Sequence, residues 1–148
     1  GRLLSRLVVN MPEDTVTRYI GGETVSFFST ATVYATSEGA ADCALEAATR
    51  FAEPVELAKA FGTVFIDPAT VVVTPVTYPT IADGSFAAKL SGKIEAAGTI
   101  VDLTILIVAF RQGNVTAVVG SAAAFDPSTD EMQPLVDLVL QRIKGAQP

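Results

Sequence analysis

Chemistry in this chain has to be sought among carboxylates, hydroxyls and amines, because the 148 residues contain no His, no Trp and a single Cys. Without His there is no Ser-His-Asp or Cys-His nucleophile and no imidazole acid or base. One thiol cannot build a zinc site from Cys and His ligands. Cys43 cannot form an intramolecular disulfide, and its Ala-rich surroundings (residues 40–48) read as a small buried thiol. Asp126, Ser128, Asp130 and Glu131 lie in Asp-Pro-Ser-Thr-Asp-Glu, but Glu131 stands where a calcium loop needs Gly. The same residues fit a helix start, with Ser128 and Glu131 as a capping box. Glu13 and Asp14 could supply half of a glycosidase carboxylate pair, although a solvated turn after Pro12 explains them more simply.

Further candidates have similarly plain readings. Asp102 is the one acid in an apolar run, either a buried carboxylate of raised pKa or a cross-strand partner of Lys93. Arg111 either anchors an acidic partner or solvates a turn. Asn114-Val115-Thr116 is a glycosylation sequon in a turn. Gly21-Gly22 and Gly113-Asn114 punctuate hairpins and lack the Lys-Ser/Thr of a phosphate loop. An enzyme working only with carboxylates, Lys, Tyr or Ser, with Asp102 its first candidate, is the least favoured reading. No catalytic residue, metal or cofactor is assigned. The best functional surface is an apolar, Pro-containing run, Val72, Val73, Pro75, Val76 and Tyr78, expected to be an edge strand that is either covered by the protein's own helix or able to recruit a partner.

The elements that carry these residues follow from patterning. Residues 85–95 alternate, with Phe86, Ala88, Leu90, Gly92 and Ile94 on one face, and so form a strand. A two-residue Ala97-Gly98 loop predicts Lys93 opposite Asp102, Ser91 opposite Thr104 and Leu90 opposite Ile105. Residues 99–110 form the next strand and 115–122 the third, around a turn at 112–114. The middle of this sheet is apolar on both sides, which calls for cover on both, most simply by helices. Residues 54–61 and about 130–144 are the expected helices, the second with Met132, Leu135, Val136, Val139 and Ile143 at helical spacing. Gly145 is expected to stop that helix, and Pro134 to lie in its first turn or kink it. Residues 40–51 form a further helix. Residues 3–10, 15–20 and 24–28 form strands, and 71–78 another that Pro75 demotes to an edge or a bulge. The sum is one α+β domain over residues 1–148: an antiparallel sheet of about five to seven strands with helices on both faces, an α/β/α sandwich.

Hydrophobic residues make up 49% and charged residues 18%, which excludes a disordered chain, a coiled coil and a collagen. The net charge of −6 with no basic block argues against nucleic acid. No stretch reaches the ~20 apolar residues of a membrane span, and no signal peptide is visible ahead of Gly1. The chain begins without Met, as a processed or cut chain would.

Leu7-Val-Val-Asn-Met-Pro-Glu-Asp14, Arg111-Gln-Gly-Asn-Val115 and the closing run 132–143 with Arg142 resemble the first strand, last hairpin and last helix of the PsbP-like superfamily. Asp14-Thr15 stands where that family has Gly-Trp. The resemblance implies export, lipid anchoring upstream in many members, and docking onto larger assemblies without catalysis. The expected function is therefore a non-enzymatic extracytoplasmic interaction domain of bacterial type, binding a protein partner as a homo-oligomer or assembly subunit. The alternative is a carrier of a small apolar ligand or lipid, using room left by Ala87, Ala88, Gly92, Ala117 and Gly120.

Overall fold

The computed structural model describes residues 9–10, 14–20, 23–51, 56, 65–124 and 129–146. Strands β1 (Val9–Asn10), β2 (Asp14–Ile20) and β3 (Glu23–Val33) lead into helix α1 (Ser37–Phe51). A 3₁₀ turn (Pro68–Thr70) precedes β4 (Val72–Pro75), β5 (Ser85–Ala96), β6 (Thr99–Gln112) and β7 (Val115–Ala123). Helix α2 (Thr129–Ala146) follows. The fold is α+β. All strands pair antiparallel in one sheet of order β1-β3-β7-β6-β5-β4, and β2 also pairs with β3. β1 and β2 thus hold successive stretches of the same β3 edge, and β4 forms the opposite edge.

The β5–β6 register is the one the alternation requires. Lys93 lies opposite Asp102, Ser91 opposite Thr104, Leu90 opposite Ile105 and Ala88 opposite Ile107. The Ala97-Gly98 loop works because both residues take left-handed backbone, at φ 50° and 78°, the conformation of a two-residue type I′ hairpin turn. β7 pairs with β6 so that Val119 meets Val108 and Ala117 meets Phe110.

Two apolar clusters result, one on each side of β6. Leu106, Val108, Phe110, Val115, Ala117 and Val119 pack with Phe27 of β3 and with Met132, Val136, Val139 and Ile143 of α2. On the opposite face Ala88, Leu90, Ile105 and Ile107 pack with Phe65, and Phe28, Val71, Val73 and Val118 join them. Two glycines on this second face are filled by aromatic rings. A Cβ at Gly120 would overlap the Phe28 ring, and one at Gly92 would lie 2.6 Å from Phe65 Cδ1.

The helices differ from expectation at their ends. α1 begins three residues before Ala40, because Thr36 caps it: the Gly39 N–H donates to Thr36 Oγ1 at 3.0 Å. α2 runs through Gly145 to Ala146 instead of stopping before it, and Pro134 lies in its second turn. The ring removes the N–H that would reach the Asp130 carbonyl, but Pro134 is on the exposed side and the helix continues past it. Asp130 and Glu131 in the first turn and Lys144 in the last match the helix dipole. β4 is shorter than the expected 71–78 strand and ends at Pro75. The expected 54–61 helix lies outside the described residues except Glu56, as do residues 3–8 of the first strand.

Two substitutions test this account. Gly120→Ala forces the Phe28 ring to move and should cost about 1–3 kcal/mol of unfolding free energy, read by urea denaturation, with Phe28→Leu in the same chain recovering part of the loss. Ala97→Gly relieves a left-handed Ala and should raise stability by about 1 kcal/mol.

Candidate docking edge

β4 is built from β-branched residues, which fit an extended strand, and is cut short by a proline. Its pairing with β5 sets Val72 opposite Ser91, Val73 opposite Leu90, Thr74 opposite Lys89 and Pro75 opposite Ala88. The Val76 N–H donates to the Ala87 carbonyl at 3.0 Å, and the Ile66 N–H to the Lys93 carbonyl at 2.9 Å. In an antiparallel ladder these bonds fix the parity. Val72, Thr74 and Val76 turn their backbone groups toward β5, whereas Val73 and Pro75 turn theirs outward. Among the described residues nothing pairs with that outer side. Pro75 offers it a carbonyl but no N–H.

The side chains of the five expected edge residues divide. Val72 is 61% exposed and Pro75 is exposed. Val73 is half-buried in the cluster with Phe65 and Leu90. Val76 and Tyr78 pack against the opposite cluster, beside α2. The structure therefore brings only Val72 and Pro75 to the surface as an edge, with the outward backbone of Val73 between them.

Tyr78 does something the sequence did not announce. Its hydroxyl donates to Gln133 Oε1 at 2.5 Å, and Gln133 Nε2 donates to Asp137 Oδ1 at 2.8 Å. This chain ties the segment after β4 to α2. Burial raises the Tyr78 pKa above its usual 10.0, and the Asp137 carboxylate adds to the shift.

The remaining candidates are placed as follows. Asp102 is exposed, not buried, and accepts from Lys93 Nζ at 2.8 Å. Its location near the hairpin tip removes the reading of a desolvated catalytic carboxylate. Arg111 neither dangles nor solvates freely: its guanidinium reaches Asp83 Oδ2 at 3.5 Å and the Gly113 carbonyl at 3.3 Å. Asn114 is half-buried and its side-chain amide donates to the Tyr34 carbonyl at 2.8 Å. That bond uses one of the two amide hydrogens. Cys43 is half-buried, and its Sγ accepts from the Tyr34 hydroxyl at 2.9 Å. Glu131 lies in the first turn of α2, and its Oε2 is buried with no hydrogen-bond partner among the described residues. Asp130 sits beside it, exposed. Asp126, Ser128 and Glu13 lie outside the described residues, and Asp14 begins β2. Of the small residues named for a ligand cavity, Ala87, Ala88 and Ala117 are buried, and the space over Gly92 and Gly120 holds Phe65 and Phe28.

Among the described residues no three of His, Cys, Asp and Glu gather to hold a metal ion. No helix among them is long and apolar enough to cross a membrane. No family model, curated protein or solved structure matches the chain.

The Tyr78 clasp makes a prediction with a defined sign. A tyrosine whose folded pKa is raised contributes its stability below the unfolded pKa and loses it as pH climbs toward the folded value. Tyr78→Phe should cost about 1 kcal/mol near neutral pH. The gap between wild type and variant should then narrow in denaturation curves collected above about pH 10.

Proposed function

We propose that this chain is a non-enzymatic interaction domain, working outside the cytoplasm, that docks a protein partner through the β4 edge. The observation that carries the reading is the edge itself. An outward-facing strand backbone lies between an exposed valine and an exposed proline, with no charged residue from Pro68 to Ala82. Soluble proteins usually guard such edges with lysines or inward-pointing charges. Here Pro75 is the only guard in the strand. Docking by strand addition draws affinity from main-chain hydrogen bonds and needs no catalytic side chain.

In this reading the body behind the edge is an α/β/α sandwich of the PsbP-like kind. α2 lies over one face. The opposite face is assigned to α1, supported by its contacts with β6 and β7 and by the Tyr34–Cys43 bond. Location outside the cytoplasm rests on the family resemblance of residues 7–14, 111–115 and 132–143.

A photoreactive residue at Val72, in cells that make the protein, tests the docking role. The expected result is a covalent adduct mapped to β4 and lost when Val73→Pro removes the outward N–H. An adduct-free Val72, with a control position labelled normally, would falsify the proposal.

A further inference from the structure

We propose that the β4 edge takes a second copy of this chain, two β4 strands pairing antiparallel about a two-fold axis at Val73. The inference rests on the docking reading above and adds the identity of the partner.

The edge is complementary to itself in one register. Val73 turns both its N–H and its carbonyl outward, so Val73 of a second copy, set opposite, exchanges two hydrogen bonds with it. Val71, packed beside Gly92, continues the alternation, and its N–H meets the carbonyl of Pro75 of the second copy. The two-fold axis repeats that bond. The one missing donor, at Pro75, then falls at the rim of the pairing and not at its centre.

Neighbouring registers are closed off. A slip in one direction drives the 3₁₀ turn Pro68–Thr70 into the ladder. A slip in the other sets Pro75 against Val73 and removes a central donor. The same two features that bound β4 therefore select the symmetric alignment.

Charge points the same way. Each copy carries a net −6, so two copies repel over most of their surface. Residues 68–82 carry no charge, which makes this edge a place of approach without repulsion. In the paired state Val72, 61% exposed in the single chain, lies opposite Thr74 of the second copy, and the valine loses its solvent.

Five residues a side make a small contact, below the ~1,200 Å² of stable complexes. The dimer is therefore concentration-dependent and exchanging.

The test is sedimentation velocity over a series reaching millimolar protein, with hydrogen exchange of the Val73 amide on the same samples. The wild type should move from monomer to dimer, and its Val73 amide should slow as concentration rises. Val72→Lys with Thr74→Lys sets like charges against each other twice across the axis and should yield only monomer. Val72→Lys with Thr74→Glu sets opposite charges there and should restore the dimer. A wild type that stays monomeric with a Val73 amide indifferent to concentration overturns the homotypic pairing. So does equal behaviour of the two charged variants. If a Val72 photoadduct to a different protein persists in either case, docking stands and only its partner changes.

Discussion

A strand buried on both faces leaves no side on which water can reach a polar side chain, and residues 105–108 of β6 show that condition. Ile105, Leu106, Ile107 and Val108 are each at most 3% exposed. Odd and even positions belong to different clusters, so one strand anchors both halves of the core. At ~25 cal/mol per Å², a fully buried Ile, Leu or Val is worth about 1.5–3 kcal/mol against exposure, and four in succession weigh heavily against a native stability of about 5–15 kcal/mol. β5 and β7 inherit their orientation from this strand, because a slip of one residue would turn each apolar row to the wrong face.

The two ends of the sheet are finished differently. At the β6–β7 turn, Asp83 Oδ2 accepts from the Gly113 N–H at 2.7 Å, and Arg111 bonds through its backbone to Gly84 and Asp83. Tyr34 donates its N–H to the Asn114 carbonyl and accepts from the Asn114 amide. Three loops are thus tied together by groups that would otherwise need water. At the β5–β6 tip the polar contacts are Lys93–Asp102 and Ser91–Thr104, both at the surface. Exposed pairs of that kind contribute little. Ile100, 62% exposed, sits in the same region. The start of β5, the end of β6 and the start of β7 all lie at the tied end.

How much of this was legible in the sequence depended on distance along the chain. Period-two alternation across the two-residue Ala97-Gly98 turn made the β5–β6 register legible, since a turn of known length leaves no freedom once one face must be apolar, whereas the turn at 112–114 left the β6–β7 register open. Met132, Val136, Val139 and Ile143 were readable because helical spacing is local. Pro75 marked an edge because a proline cannot donate to a central ladder. The β3–β7 pairing carried no such mark, since it joins residues about ninety positions apart. Nor did Asn114 meeting Tyr34, or Tyr78 meeting Gln133, separated by 80 and 55 positions. Those contacts depend on where the sheet places each side chain, not on neighbouring residues. Of the five edge residues, alternation alone could not separate the two that face solvent from the three that help to fill the core.

Cys43 gives the molecule a built-in gauge. The chain has one thiol, and it is half-buried on α1, where it accepts from the hydroxyl of Tyr34, the residue after β3. The Tyr34 contact restricts a thiol reagent, so a rise in labelling rate reports loosening of the helix at this seam. A dye on this sulfur needs no engineered site and has no second cysteine to confuse it. The motion of the first helix can therefore be timed in the unaltered protein.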